Sequence, residues 1–292
     1  MVFTGATSPH CDEGATNGGT RRKGTVDLNT VTEVSLARSR ADLSALGPTV
    51  VPLAGGSALY GEPQDHLTGL VDLMTLGWPS LTVVDDGLEI AATCTVAELS
   101  TFPSQPGWNA HPAFYQCCTA FLAGFKVWNV ATVGGNLCAA LPAGPMTSLA
   151  AALDGEALVW LADGTEQRMP VTDFITGNKT TALNPGDVLR SITLPIHSLE
   201  ARVAFRKIAL SPIGRSGLVI LGRVDKDDSF VLTVTGGTVR PIQLRYASLP
   251  SAETLKADVL AITEWFSDAH GAADWRRGVA AVLAEEIREE LS

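Results

Sequence analysis

Two Gly-Gly pairs, each set behind an apolar run, constrain this chain more than any other feature. Gly55-Gly56 lies in Leu53-Ala54-Gly55-Gly56-Ser57-Ala58, behind Thr49-Val50-Val51-Pro52. Gly134-Gly135 lies in Thr132-Val133-Gly134-Gly135-Asn136, behind the valine-rich run Lys126 to Ala131. Paired glycines remove two Cβ atoms where a chain turns, so the backbone can take φ > 0 and come close to another group. Successive N–H groups in such a turn can converge on an anion. Two strand-then-Gly-Gly turns in one domain therefore suggest two loops closing on one phosphate-bearing ligand. Taken singly, each pair also reads as an ordinary tight turn.

The composition narrows what that ligand can be held by. At 292 residues, 46% of them apolar and 18% charged, the chain is globular and long enough for two domains. A net charge of −10 argues against nucleic acid, which needs a basic footprint. It also means that a bound phosphate is held mostly by backbone dipoles and a few local cations. No apolar run approaches the ~20 residues of a membrane helix, and the N-terminus has no secretory signal pattern. The five cysteines, Cys11, Cys94, Cys117, Cys118 and Cys138, form no regular framework, which fits a reducing cytoplasm. Cys117 and Cys118 read as small core residues, and no Cys or His spacing suggests a metal site. No G-x-S-x-G, H-E-x-x-H or P-loop pattern occurs.

Residues 1 to about 25 are rich in Gly, Thr and Ser and read as a disordered leader. Val31 to Leu46 has helical spacing and is stopped by Pro48. Val50 to Leu53 reads as a buried strand, and Leu70 to Leu73 as a second short strand. Leu81 to Val84 and Leu88 to Ala92 flank Asp85-Asp86-Gly87, a hairpin signal. Thr95-x-x-Glu98 is a capping box, in which the hydroxyl accepts a first-turn N–H while the carboxylate reaches back. Pro112 to Gly124 reads as an apolar helix. Ala157 to Leu161 and Gln167 to Val171 flank a second hairpin at Asp163-Gly164, and Val188 to Pro195 reads as a strand. Beyond Ser198 the pattern changes to three strands, Val203–Leu210, Leu218–Val224 and Phe230–Thr235. Helices at Ala252–Phe266 and Asp274–Leu291 follow, the last with Val279, Val282, Leu283 and Ile287 on one face. The expected division is 26–197, with parts at about 26–70 and 71–197, then 198–292.

Several of these motifs occur together in a recognisable order. Leu-Ala-Gly-Gly-Ser at 53–57 and Thr-Val-Gly-Gly-Asn at 132–136 are followed by Pro185-Gly186-Asp187-Val188-Leu189 running into Ile192-Thr193-Leu194-Pro195. Thr235-Gly236-Gly237, Arg240-Pro241 and Asp274-Trp275-Arg276-Arg277 complete the set. Over about residues 45 to 290 the chain resembles the FAD-binding medium subunit of molybdenum hydroxylases, the xanthine dehydrogenase, aldehyde oxidase and carbon monoxide dehydrogenase family.

The resemblance implies an α+β fold: a two-part FAD-binding domain of the vanillyl-alcohol-oxidase-like type, then a smaller domain with a three-stranded antiparallel sheet and helices. It implies that both Gly-Gly loops hold the FAD pyrophosphate through backbone N–H groups. The residues it assigns to the cofactor are Leu53 to Ala58, Leu122, Thr132 to Asn136, Leu189 and Lys207, with Arg206 competing for the role of Lys207. Three positions depart from the family pattern. Pro145 stands where many relatives have an aspartate, Leu122 where the xanthine dehydrogenase type has an aromatic, and Trp128 where a basic residue is usual. The cradle is intact and the departures concern the ends of the cofactor, so affinity or redox potential can differ from those of relatives.

By the same resemblance, a molybdopterin-containing large subunit and a [2Fe–2S] small subunit are expected partners, with NAD⁺ or O₂ as acceptor. The protein orients and tunes a flavin that carries the redox chemistry, and no side-chain general base is expected. Two alternatives remain open: a stand-alone FAD-dependent oxidoreductase acting on a small metabolite, and a non-catalytic assembly subunit with a degenerate flavin site.

Overall fold

A computed structural model describes residues 28–292. The expected leader lies outside the described residues. Three short strands open the described chain: β1 (Glu33–Leu36), β2 (Val50–Leu53) and β3 (Gly69–Asp72). They form a parallel sheet in the order β1-β3-β2, so the last strand in sequence is the central one. Gly69, Leu70 and Val71 are buried there, as expected of a strand covered on both faces.

The segment from Val31 to Leu46 is not the expected helix. It divides into β1 and a 3₁₀ turn at Arg40–Ala45. The Asp42 carboxylate accepts from the N–H groups of Arg38 (2.9 Å) and Ser39 (2.8 Å) and breaks the segment between the two. β1 is then held by β3, more than thirty residues away, a partner that helical spacing cannot reveal.

The second lobe is a five-stranded antiparallel sheet. Its strands are β4 (Leu81–Val84), β5 (Gly87–Ala91), β6 (Glu156–Trp160), β7 (Glu166–Pro170) and, after the short hairpin β8 (Ile175–Gly177) and β9 (Thr180–Thr181), β10 (Val188–Pro195). The order is β4-β5-β10-β6-β7, which places the longest strand in the middle. Both expected Asp-Gly hairpins form. Helices α1 (Val96–Ser100), α2 (Pro112–Ala120), α3 (Phe125–Trp128), α4 (Val133–Ala139), α5 (Pro145–Ala152) and α6 (Val171–Phe174) lie between β5 and β8 in the chain. The Thr95 capping box is present, with Glu98 N–H donating to Thr95 Oγ1 at 3.2 Å.

The valine-rich run before the second glycine pair is a helix, not a strand: α3 starts after Gly124, and Asn129 Nδ2 donates back to Phe125 O at 2.8 Å. α2 stops at Ala120, short of the expected Gly124.

A short α7 (Ile196–Glu200) leads into a four-stranded antiparallel meander, β11 (Arg202–Ile208), β12 (Leu218–Val224), β13 (Phe230–Thr235) and β14 (Ile242–Tyr246), not the expected three strands. The fourth is an edge strand behind Pro241, with a weak apolar signal of its own. It pairs with β13 from Phe230–Tyr246 to Val234–Ile242. Helices α8 (Ala252–Ala261) and α9 (Ala273–Leu291) pack on this sheet and share a core with Ile220, Phe230, Leu232 and Val234. Every residue of β12 and β13 is buried, because α5 covers the opposite face. The inward stripe of α9 is Arg276, Ala280, Leu283, Ala284, Ile287 and Leu291, while Val282 faces outward at 59% exposure, contrary to the helical-face expectation. Gly222 permits the close approach: a Cβ there would lie 2.1 Å from Ile287 Cγ2.

The C-terminal sequence motifs join this sheet to the second lobe. Gly236 N–H donates to Pro142 O at 2.9 Å, and Thr235 and Ser148 share a buried hydroxyl contact at 2.7 Å. Arg223, 1% exposed, donates to Ala152 O (2.7 Å) and pairs with Asp154 (2.6 Å) and Asp225 (2.8 Å). Arg276, fully buried, pairs with Asp268 at 2.7 Å and donates to Phe266 O.

Candidate functional site

The two glycine pairs meet. An added Cβ on Gly55 would sit 1.6 Å from the Val130 carbonyl oxygen and 3.1 Å from Ala131 Cα, so the first turn lies directly against the chain entering the second. Gly56 has φ +67°, a left-handed conformation that glycine adopts without strain. Among the described residues, the N–H groups of Gly55, Gly56 and Ser57 have no protein acceptor. This turn therefore offers a run of uncommitted donors.

The second pair is built differently from the expected loop. Gly134 and Gly135 lie in the first turn of α4, capped by Thr132. Their amides are committed inside the protein: Gly134 N–H donates to Ala92 O at 3.0 Å and Gly135 N–H to Thr132 Oγ1 at 3.0 Å. The expectation that both loops present free N–H groups is thus met only on the Gly55–Ser57 side. What the second pair contributes is a surface without Cβ atoms. A Cβ on Gly134 would collide with Ala92, at 2.4 Å from its Cβ, whereas one on Gly135 would meet only Thr132 Oγ1, at 2.9 Å.

Between the turns lies a cavity of about 780 Å³, within the range typical of cofactor sites. Leu53, Ala54, Gly55, Gly56, Ser57, Ala58, Thr132, Gly134, Gly135 and Leu189 all line it. Leu189 reaches it beside a β-bulge at Arg190, where the register of β10 on β6 shifts. A bulge re-aims side chains. Here Arg190 stacks over Trp78 at 4.4 Å, while Leu189 faces the cavity. Trp160 meets Trp78 edge to face, 5.4 Å between ring centres, and carries the Arg40 guanidinium 4.7 Å over its ring, which ties the first lobe to the second.

The remaining expected residues do not line the cavity. Val133 is buried in the core. Asn136 acts as a brace: its Oδ1 accepts from Met146 N–H at 3.1 Å, in the first turn of α5, beside Pro145. Leu122 is 52% exposed beyond the end of α2, and Trp128 is half-buried, its Nε1 donating to Phe121 O at 3.3 Å. Lys207 is half-buried on β11 and shares a strand face with Val203 and Phe205, which pack on the core of the second lobe. Arg206 points the other way and pairs with Glu286 and Glu290 of α9, both at 2.8 Å. Strand alternation thus separates the two competing cations.

Sequence reasoning overlooked Lys179, Asn184, Asp187, His66 and Cys138, all of which line the cavity. The Asp187 carboxylate accepts from the N–H groups of Ala162 (3.0 Å) and Asn184 (2.9 Å), which fixes the Pro185-Gly186 turn. Cys138, on α4, is an exposed thiol that faces the cavity. Only Asp187 carried a sequence signal, through its place in the Pro-Gly-Asp-Val-Leu motif.

Two small lobes clasping a cavity with a glycine-built wall define a nucleotide-cofactor-binding domain, carried here on a second sheet-and-helix unit. The chain belongs to the family described as "FAD binding domain in molybdopterin dehydrogenase", whose model matches residues 28–197. Among relatives, the carbon monoxide dehydrogenase medium chain of Afipia carboxidovorans is 23% identical over 271 residues, 87% of this chain and 93% of that one. A rice xanthine dehydrogenase is 29% identical over 122 residues, 40% of this chain but 9% of the relative, so the chain spans only a small part of such enzymes. In fold, the chain matches a reconstituted CO dehydrogenase from Oligotropha carboxidovorans with a TM-score of 0.76 at 22% identity, covering 89% of this chain and 96% of that one. Quinoline 2-oxidoreductase from Pseudomonas putida 86 matches with a TM-score of 0.73 at 19% identity over 89% and 96% of the two chains. FAD is the cofactor, and the residues present fit it: free amides at Gly55–Ser57, a wall stripped of Cβ atoms at Gly135, and an apolar recess at Leu183 and Leu189.

Proposed function

We propose that this chain is the FAD-binding subunit of a molybdenum hydroxylase-type oxidoreductase. In this reading it works in the cytoplasm with a molybdopterin-containing large subunit and a [2Fe–2S] small subunit. Electrons arrive from the iron–sulfur partner and leave to NAD⁺ or O₂. FAD supplies the redox chemistry when bound, accepting and releasing electrons at its ring system. The observation that carries the reading is the junction of the two glycine turns, where Gly55 lies against the Val130 carbonyl and both turns line one cavity.

In this assignment the fold is a two-part domain of the vanillyl-alcohol-oxidase type, ending near residue 197. The Gly55, Gly56 and Ser57 amides bind the pyrophosphate, Gly135 lets it approach α4, and Gly134 lets α4 pack against Ala92. Thr132 holds the first turn of α4 in place by accepting from Gly135. Leu53, Ala54 and Ala58 complete the first wall, and Leu189 packs against an apolar part of the cofactor. Asn136 and Val133 support the cradle from behind. Lys207 and Leu122 lie outside the cavity, and their role is toward the flavin end.

Purification of the protein from its native source tests this. Co-purifying chains with stoichiometric Mo, Fe and FAD support the subunit assignment. A monomeric FAD protein that turns over an organic substrate without Mo or Fe refutes it and establishes a stand-alone flavoenzyme.

A further inference from the structure

One cation faces the cofactor cavity. Among the described residues that line it, Lys179 is the only lysine or arginine. It occupies the turn of the β8–β9 hairpin, with φ +59°, and its N–H donates to Ala140 O at 2.8 Å. Ala140 is the C-terminal cap of α4, the helix that begins with the second glycine pair. The lysine is therefore indexed to that pair through one short helix. Its Nζ reaches across to Glu62, 3.3 and 3.4 Å from the two carboxylate oxygens. Glu62 follows the short 3₁₀ turn that leaves the first glycine pair, and it lines the cavity too. The ion pair thus bridges the segments that run on from both glycine turns.

The pair is loose. Both side chains are well exposed, at 58% and 67%, and both distances exceed those of a tight charge-assisted hydrogen bond. Exposed pairs of this kind hold weakly and are screened by salt. The other carboxylate at the cavity, Asp187, is already engaged by amide donors. In a chain of net charge −10, a cofactor carrying a diphosphate meets one accessible cation here, and that cation is occupied by an internal anion.

We propose that Lys179 binds the anionic diphosphate of the cofactor and that Glu62 is its internal competitor, so that the ion pair opens when the cofactor enters. This rests on the assignment of the cavity to FAD.

The test is titration of the flavin-free full-length chain with FAD, and with riboflavin as a phosphate-free probe, at low and moderate salt. Lys179→Met is expected to weaken FAD binding about tenfold and to flatten its salt dependence, leaving riboflavin unaffected. Glu62→Gln is expected to tighten FAD binding about threefold in the parent chain and to have no effect in the Lys179→Met background, the signature of one shared interaction. Lys179→Arg retains binding. Should Lys179→Met fail to fold, the Glu62→Gln tightening carries the test alone. Equal FAD affinity in Lys179→Met and the parent overturns the proposal, as do a matching loss for riboflavin, a Glu62→Gln effect that persists without the lysine, and a Glu62→Gln chain that binds no tighter than the parent. A parent chain that binds no FAD overturns the cofactor assignment itself.

Discussion

Gly134 and Gly135 are adjacent, yet substitution of each by alanine should produce opposite phenotypes. On Gly134 the new Cβ would lie 2.4, 2.6 and 2.7 Å from the Cβ, Cα and O of Ala92. Carbon atoms in contact prefer about 3.5–4.0 Å, so α4 must retreat from β5 by about 1 Å. That movement strains two hydrogen bonds, Gly134 N–H to Ala92 O (3.0 Å) and Val133 N–H to Cys94 O (2.8 Å). Overpacking costs about 1–3 kcal/mol and each weakened bond about 1 kcal/mol, so a loss of about 3 kcal/mol is expected. In a protein of this size that lowers Tm by about 5–10 °C.

On Gly135 the new Cβ meets only Thr132 Oγ1 at 2.9 Å and otherwise enters the cavity. Alanine is the better helix former, so stability should stay within about 1 kcal/mol of the parent. FAD affinity should fall tenfold or more, a loss of at least ~1.4 kcal/mol. Differential scanning fluorimetry of the flavin-free proteins, with flavin titration of each, separates the two effects. Equal losses of Tm in both variants, or a Gly135→Ala protein that binds FAD like the parent, refutes the assignment of one glycine to packing and its neighbour to the cofactor.

Asp154 should make the protein acid-sensitive. Burial raises its carboxyl, but the Arg245 and Arg223 guanidiniums more than offset this and hold it at about 2, below the ordinary 3.8. Because the folded value is the lower one, the stabilisation is present above pH ~4 and is lost as pH falls toward 2, about 2 kcal/mol in all. Denaturant titrations of the parent and Asp154→Asn across that range should converge at low pH; parallel curves contradict the linkage. Gly222→Val should unfold the C-terminal unit, since its Cβ already overlaps Ile287 Cγ2 at 2.1 Å; an unchanged melting profile argues against the α9–β12 contact. Lys207→Met should leave Tm unchanged and alter the flavin absorption spectrum, while Arg206→Met should lower Tm by about 1–2 °C through its lost pairs with Glu286 and Glu290. A spectral change on Arg206→Met alone reverses the assignment of the two cations.

Local chemistry made much of this protein legible from its residues alone. The two Asp-Gly hairpins, the Thr95 capping box and the run Val188–Pro195 form where expected, because each depends on neighbours within a few positions. The glycine pairs marked the cavity for the same reason: an absent Cβ is visible in the chain itself. What only the tertiary structure decided depends on partners far apart in sequence. Val31 to Leu46 has the spacing of a helix, but β3 recruits its first part as a strand. β14 is a strand only because β13 offers it an edge. Arg206 and Lys207 are equivalent cations until strand alternation sends one to α9 and the other toward the second lobe. Lys179 carries no motif; it reaches the cavity because its hairpin is tied to Ala140 at the end of α4. Spacing encodes which residues can turn, cap or alternate, whereas long-range pairing chooses which of them share one cavity wall.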